Sequence, residues 1–285
     1  MKWIALMLLL LASARASAQE KVQRTFAVGP AVSLRIWLPS GHVRVETWDK
    51  DSIGVVGSVA KGSTFFAGGG QTGAKLGVEQ PNKRATTLAN GDLVVTVPRR
   101  AQVFIKATNA IIETAHTYGD IELLTVGGKV TVEEAHGVVS IESIDAPIDV
   151  HGATGIVRLH NGGGEVGLRD VTGDLTVSTV RGGVQLTGES LGDAQIETVG
   201  GRVAIDGRMR RGAFIEVQTH DGNVSLRFRS NDVPLLELSS RGGEVSNGLG
   251  VGNLKVGRVA VRSFKGGVNA GPRAGVEGGK QRTNP

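Results

Sequence analysis

The stretch GKVTVEEAHGVVSIESIDAPIDVHGATGIVRLHNGGGEVGLRDVTGDLTVSTVRGGVQLT, residues 128–187, repeats its pattern every nine residues. Glycine or another small residue stands at positions 101, 110, 119, 128, 137, 146, 155, 164, 173 and 182, and each is followed by a short run that is apolar at every second position. After Gly128 the apolar pair is Val130 and Val132; after Gly137, Val139 and Ile141; after Gly155, Val157 and Leu159; after Gly164, Val166 and Leu168. A period of two marks a strand with one buried face. A longer fixed period marks a chain that stacks one unit on the next.

Neighbouring nonamers are not equivalent. One arm follows the pattern [STN]-x-x-[GA]-x-[VI], with its polar residue at Thr125, Ser143, Asn161, Thr179, Thr198, Thr219, Ser240 and Ser263 and its inward residue at Val130, Ile148, Val166, Val184, Val203, Val224, Val245 and Val268. The other arm starts at Ala101, Gly119, Gly137, Gly155, Gly173, Gly192, Ala213, Pro234 and Gly257. The unit is therefore a turn of two strands and about 18–23 residues, and about nine turns at about 4.8 Å each give a rod roughly 40 Å tall. This predicts an all-β, single-stranded β-solenoid (β-helix), right-handed by analogy. No turn of some eighteen residues can bury enough apolar surface to fold alone, so the turns must stabilise one another. The polar column reads as an internal ladder that satisfies backbone groups at the corner.

Residues 1–18 read as a signal peptide: Lys2, an apolar run from Trp3 to Ala12, and small residues at Ala16, Ser17 and Ala18. Residues 19–90 are β-rich but lack the nine-residue register, which predicts an N-terminal cap with a Gly-rich loop, AGGGQTGAKLGVEQPNK. The repeat domain then runs over 91–270. A disordered basic tail is expected over 271–285. The chain has no cysteine, which excludes disulfides and thiol chemistry. Once Lys2 and Arg15 leave with the signal, 30 basic residues face 27 acidic ones, so the +5 formal charge is no sign of specific nucleic-acid binding. No later segment has the roughly twenty apolar residues of a transmembrane helix.

The opening SGHVRVETWDKDSIGV, followed by many copies of G-x-V-x-[VIL], resembles the putative-adhesin family of exported bacterial β-strand-repeat proteins with domain of unknown function 4097. The resemblance covers roughly residues 25 to 270. It implies a β-solenoid and an adhesin-like role, and it carries over no catalytic residue.

Chemistry-bearing residues are sparse in pattern. Outward Glu216 and Glu237 are expected one strand apart, close to the roughly 5 Å of a retaining glycosidase pair, and Asp174 and Asp193 make a similar pair. Both read as solvated surface. His42, His116, His136, His151, His160 and His220 fall at different phases of the repeat, so no metal ligand set follows from them. No catalytic residue, metal site or cofactor is expected. One asymmetry is directed: the return corner, from the first-described arm back to the second, grows from nine residues (164 to 173) to fourteen (243 to 257). It carries Arg208, Arg210, Arg211, Arg227, Arg229 and Lys255. These form a candidate edge for anionic polymers such as acidic polysaccharide or lipopolysaccharide. The expected protein is exported to the periplasm, medium or cell surface, and serves as a non-enzymatic adhesin-like or envelope-scaffolding solenoid. The alternatives are a carbohydrate-active β-helix enzyme (lyase or glycosidase) and a self-assembling structural subunit, with outward pairs Val138 with Ile156 and Phe214 with Leu235 as candidate apolar contacts.

Overall fold

The computed structural model describes residues 19–80, 88–229 and 232–273. The signal segment and most of the tail lie outside the described residues. The chain forms β1 (Gln19–Ala27), β2 (Ser33–Trp48), β3 (Ser52–Ala60), β4 (Thr64–Gly69), β5 (Gly73–Glu79), β6 (Asn90–Pro98), β7 (Gln102–Ala115), β8 (Ile121–Thr125), β9 (Gly127–Glu133), β10 (His136–Ser143), β11 (Ile148–His151) and β12 (Thr154–Asn161). It continues with β13 (Val166–Arg169), β14 (Thr172–Thr179), β15 (Val184–Leu191), β16 (Asp193–Thr198), β17 (Val203–Met209), β18 (Ala213–Thr219), β19 (Val224–Phe228), β20 (Pro234–Ser240), β21 (Val245–Asn247), β22 (Asn253–Ser263) and β23 (Val268–Pro272).

These strands make one large, mostly parallel sheet that curls nearly closed, solenoid-like, with a small antiparallel sheet at its N-terminal end. Through the middle, each strand stacks on its equivalent one turn earlier: Val139 on Ile121, Val157 on Val139, Leu175 on Val157. The other arm does the same, with Ile148 on Val130 and Val166 on Ile148. Every one of these inward residues is buried. Corners need glycine where backbones meet. Gly155 sits at φ +115, and a Cβ there would fall 2.3 Å from the Gly137 carbonyl oxygen.

Both ends depart from chain order. β2 spans both arms and pairs in parallel with β7 along nearly its whole length, Leu34 opposite Val103 and Val43 opposite Ile112. On its other side β2 pairs with β5 and β6. The stacking register thus begins at Ser33, well before residue 91, and the described part of the Gly-rich stretch supplies the end of β4, the turn and β5 of a hairpin whose second strand joins the stack. Beyond β6 lie β3 and then β1, both antiparallel, and beyond β5 lies β4. At the other end β22 pairs with β18 on one side and β20 on the other, while β23 lies between β19 and β21. The last turn in the chain is inserted beneath the one that precedes it. Eleven parallel layers result, rather than nine, and β20 with β21 forms the terminal layer.

This order corrects several sequence expectations. Val245 and Asn247, expected inside, are exposed because among the described residues no strand stacks above them. Phe214 and Leu235 are not neighbours, since Arg258 stands between them, whereas Val138 and Ile156 do pair. Gly271 and Pro272 end strand β23 and Arg273 bridges Glu189 and Asp206, so residues 271–273, expected in the tail, belong to the fold. The growth of the return corner also has a packing cause. The added residues Leu191, Met209, Phe228 and Val233 are buried, and Phe228 stacks over Gly207, which stacks over Gly188. A Cβ at Gly207 would fall 2.1 Å from the Gly188 carbonyl oxygen, so glycine lets these backbones meet while the buried insertions widen the core.

Candidate functional site

Two long edges flank the stack, one at each corner, and they differ in chemistry. At the forward corner, where β8 leads to β9 and its equivalents follow, the polar column turns inward and bonds the corner backbone. Asn161 donates to the Ala146 and Gly164 carbonyls at 3.1 and 2.6 Å, Thr179 donates to Gly182 at 2.9 Å, and Ser263 to Gly266 at 2.7 Å. Thr198 and Thr219 accept from the Gly201 and Gly222 amides, both at 2.9 Å. This is the internal ladder expected from the sequence.

With that residue inward, the next one must point out. The backbone ladder continues through it: the amides of Ile144, Val180, Val199, His220 and Phe264 donate to the carbonyls of Thr125, Asn161, Thr179, Thr198 and Thr219. Val126, Ile144, Gly162, Val180, Val199, His220 and Phe264 therefore stand in one row, about 29 Å long at the usual strand spacing. Five are large apolar residues, between 40% and 61% exposed. The rings of His220 and Phe264 stack at 4.9 Å, and Arg241 covers Phe264 at 5.5 Å. Gly162 breaks the row. Its missing side chain leaves a notch between Ile144 and Val180 in a shallow groove of about 440 Å³, walled by Leu124, His160 and Ser178. A second groove of about 460 Å³ runs past Val199, Gln218 and Phe264. Apolar residues aligned in this way are the usual mark of a contact surface.

The Toastrack DUF4097 family model matches residues 33–255 of the chain, more than three quarters of its length and every layer from β2 into the final turn. The chain belongs to this family. No curated protein matches this Toastrack chain by sequence. Among solved structures, it is similar to one described as a "putative cell adhesion protein" from Clostridium sporogenes, at 9% identity and a TM-score of 0.22 over 89% of this chain and 100% of that one. It is also similar to a "putative lipid binding protein" from Parabacteroides distasonis, at 10% identity and a TM-score of 0.38 over 88% of this chain and 96% of that one.

At the return corner of this Toastrack chain, Arg208, Arg210, Arg227 and Arg229 point outward because Gly207, Met209, Leu226 and Phe228 point in. Acidic groups accompany them. Arg208 pairs with Asp232 at 2.8 Å, Arg210 with Asp193 at 3.3 Å and Arg229 with Glu189 at 3.2 Å. Glu189 is held below the usual carboxylate range by the hydrogen bond from Arg273, despite an opposing desolvation, and further by the charges of Arg229, Arg273 and Arg208. Among the described residues Arg211, Arg227 and Lys255 make no ion pair. The edge is basic, yet three of its six cations already have partners.

The carboxylate pairs are also engaged. Ala260 lies between Glu216 and Glu237, so they are two strands apart instead of one. Glu216 is bound by Arg262 and Glu237 by Arg258, each at 2.5 Å. Asp174 and Asp193 do face each other in register, but Asp193 also accepts from the Phe214 amide at 2.7 Å. The histidines are dispersed: His116 meets Glu134 at 2.7 Å, His136 meets Thr154 at 2.6 Å and His151 meets Asp170 at 3.7 Å. Among the described residues no cluster of three or more such groups could hold a metal.

Proposed function

We propose that this protein is an exported, non-enzymatic β-solenoid that acts as an adhesin-like or scaffolding module of the cell envelope, holding an elongated partner along its forward corner. The observation that carries this reading is the exposed row from Val126 to Phe264. It is rigid, because its backbone is bonded on both sides, so a partner loses little by meeting it. It repeats at a constant spacing, which suits a linear partner that makes many weak contacts and gains affinity through their number. Glu216 and Glu237, the carboxylates best placed for paired chemistry, are each tied to an arginine, an arrangement that supports a structural rather than a catalytic role. Changing Ile144, Val180 and Val199 together to serine should reduce co-sedimentation with the producing cell's envelope fraction by at least about tenfold and leave circular dichroism unchanged. Equal sedimentation of variant and wild type overturns the reading.

A second reading rests on Arg211, Arg227 and Lys255, which keep their charges uncompensated at the return corner. An acidic polysaccharide or the phosphates of lipopolysaccharide would meet several cations there, and binding would weaken as salt rises. Changing the three to serine should lower the salt needed to elute the protein from an anionic glycan column. Unchanged elution overturns this second reading and leaves the first intact.

A further inference from the structure

The two ends of the stack are finished differently. At the N-terminal end the parallel layers are followed by antiparallel strands, and the outermost, β1, is polar, with Glu20, Lys21, Gln23 and Arg24 along an almost wholly exposed strand. Charged edge strands discourage further pairing. The other end has no such cover among the described residues. Among the described residues β20 pairs only with β22 and β21 only with β23, so each presents one row of backbone groups with no strand partner there. Leu236 and Leu238 remain half-buried on β20, and Val245 is 41%, Leu254 63% and Val251 97% exposed around them.

We propose that this terminal layer binds the same layer of a second copy, giving a closed, two-fold dimer joined end to end. Three observations select this occupant. The open end offers two strand edges, β20 and β21, with a shared apolar interior, so a single added peptide strand would complete one arm and leave the other open. The opposite end of a second copy is closed by β1, β3 and β4, which leaves the same end as the matching surface. The edge is also complementary to itself. A two-fold axis makes the two β20 strands antiparallel, and with Ser239 opposite Ser239 of the second copy, Glu237, which also holds its own Arg258, faces Arg241 of the second copy, a cation that lies over Phe264 and makes no ion pair among the described residues. Glu237 and Arg241 are both exposed on the outer face. Because the interface is isologous, association stops at two copies.

The mature protein measured by light scattering across a dilution series should show a dimer that dissociates to monomer, and Leu238→Lys should move the midpoint at least about tenfold upward in concentration. A monomer at every concentration, or a dimer indifferent to Leu238→Lys, overturns the proposal. A second measurement does not depend on the leucines. The chain has no cysteine, so Ser239→Cys places one thiol beside its symmetry mate, within reach of a disulfide for antiparallel neighbours. Mild oxidation should link Ser239→Cys into covalent dimers but leave Ser58→Cys, on β3 in the N-terminal sheet, unlinked. No linkage at 239, or equal linkage at both positions, overturns it.

Discussion

The return corner holds three residues in the left-handed region that are not glycine: His116 at φ 55°, Glu134 at 49° and Asp170 at 52°. Their equivalent in the intervening layer is Gly152 at 70°. A Cβ in this region costs about 1–2 kcal/mol, while glycine at the same place loses about 0.5–1 kcal/mol of extra chain entropy on folding. Glu134→Gly should therefore stabilise the protein by up to about 1 kcal/mol, since the exposed His116–Glu134 contact that it removes contributes little. A lowered melting temperature would contradict this account. In the core the opposite holds. Val203 is fully buried between Val184 and Val224, so Val203→Asp places an unpaired charge in the interior and should cost more than about 4 kcal/mol. An unchanged melting transition would contradict its inward placement.

At the scale of the element, each turn is held by its corner as much as by its core. Asn161 is buried and donates to two carbonyls. Asn161→Ala leaves both acceptors unmet and should cost about 1–3 kcal/mol, measurable as a shift in the urea midpoint at constant slope. At the return corner, Glu189 joins Arg229 on β19's extension to Arg273 after β23. Its folded pKa is depressed, so its contribution is complete above the ordinary carboxylate range and is lost as pH falls through the depressed value. Glu189→Gln should flatten the loss of stability below the ordinary carboxylate range. A pH profile identical to that of the wild type would show that the bridge is fully screened.

Much of this was legible in sequence for a physical reason: one turn must satisfy the same corner as the next, so the same residue type returns at the same place. Thr125, Asn161 and Thr198 announce the polar ladder in this way. The apolar row beside it obeys the same arithmetic, as a Val, Ile or Phe directly after the polar residue, but it calls for attention to residues that face out. The ion pairs that neutralise Arg208, Arg210 and Arg229 were not legible. Their acids, Asp232, Asp193 and Glu189, lie in other turns or across a loop, and the charge count gives no distances. The carboxylate pair at 216 and 237 failed for a related reason. The repeat gives the phase of each strand but not which strand is its neighbour.

That gap matters most for the whole molecule, because both ends are built out of chain order. β2 enters between β6 and β7, and the final strands β22 and β23 enter beneath β20 and β21. A chain that simply wound upward would fray from its last residues inward, since the terminal turn has a neighbour on one side only. The observed order reverses this. Val259, Val261 and Val268 are fully buried between two layers, while Val245 and Asn247, earlier in sequence, are exposed. In dilute solution, native-state hydrogen exchange should therefore find the amides of residues 235–247 exchanging at least about tenfold faster than those of residues 258–270, because each tenfold corresponds to only about 1.4 kcal/mol of opening free energy. The same experiment at high protein concentration should slow exchange in β20 and β21 alone, as a second copy covers them. If residues 258–270 exchange first, the last strands are the outermost layer and the inserted order is wrong.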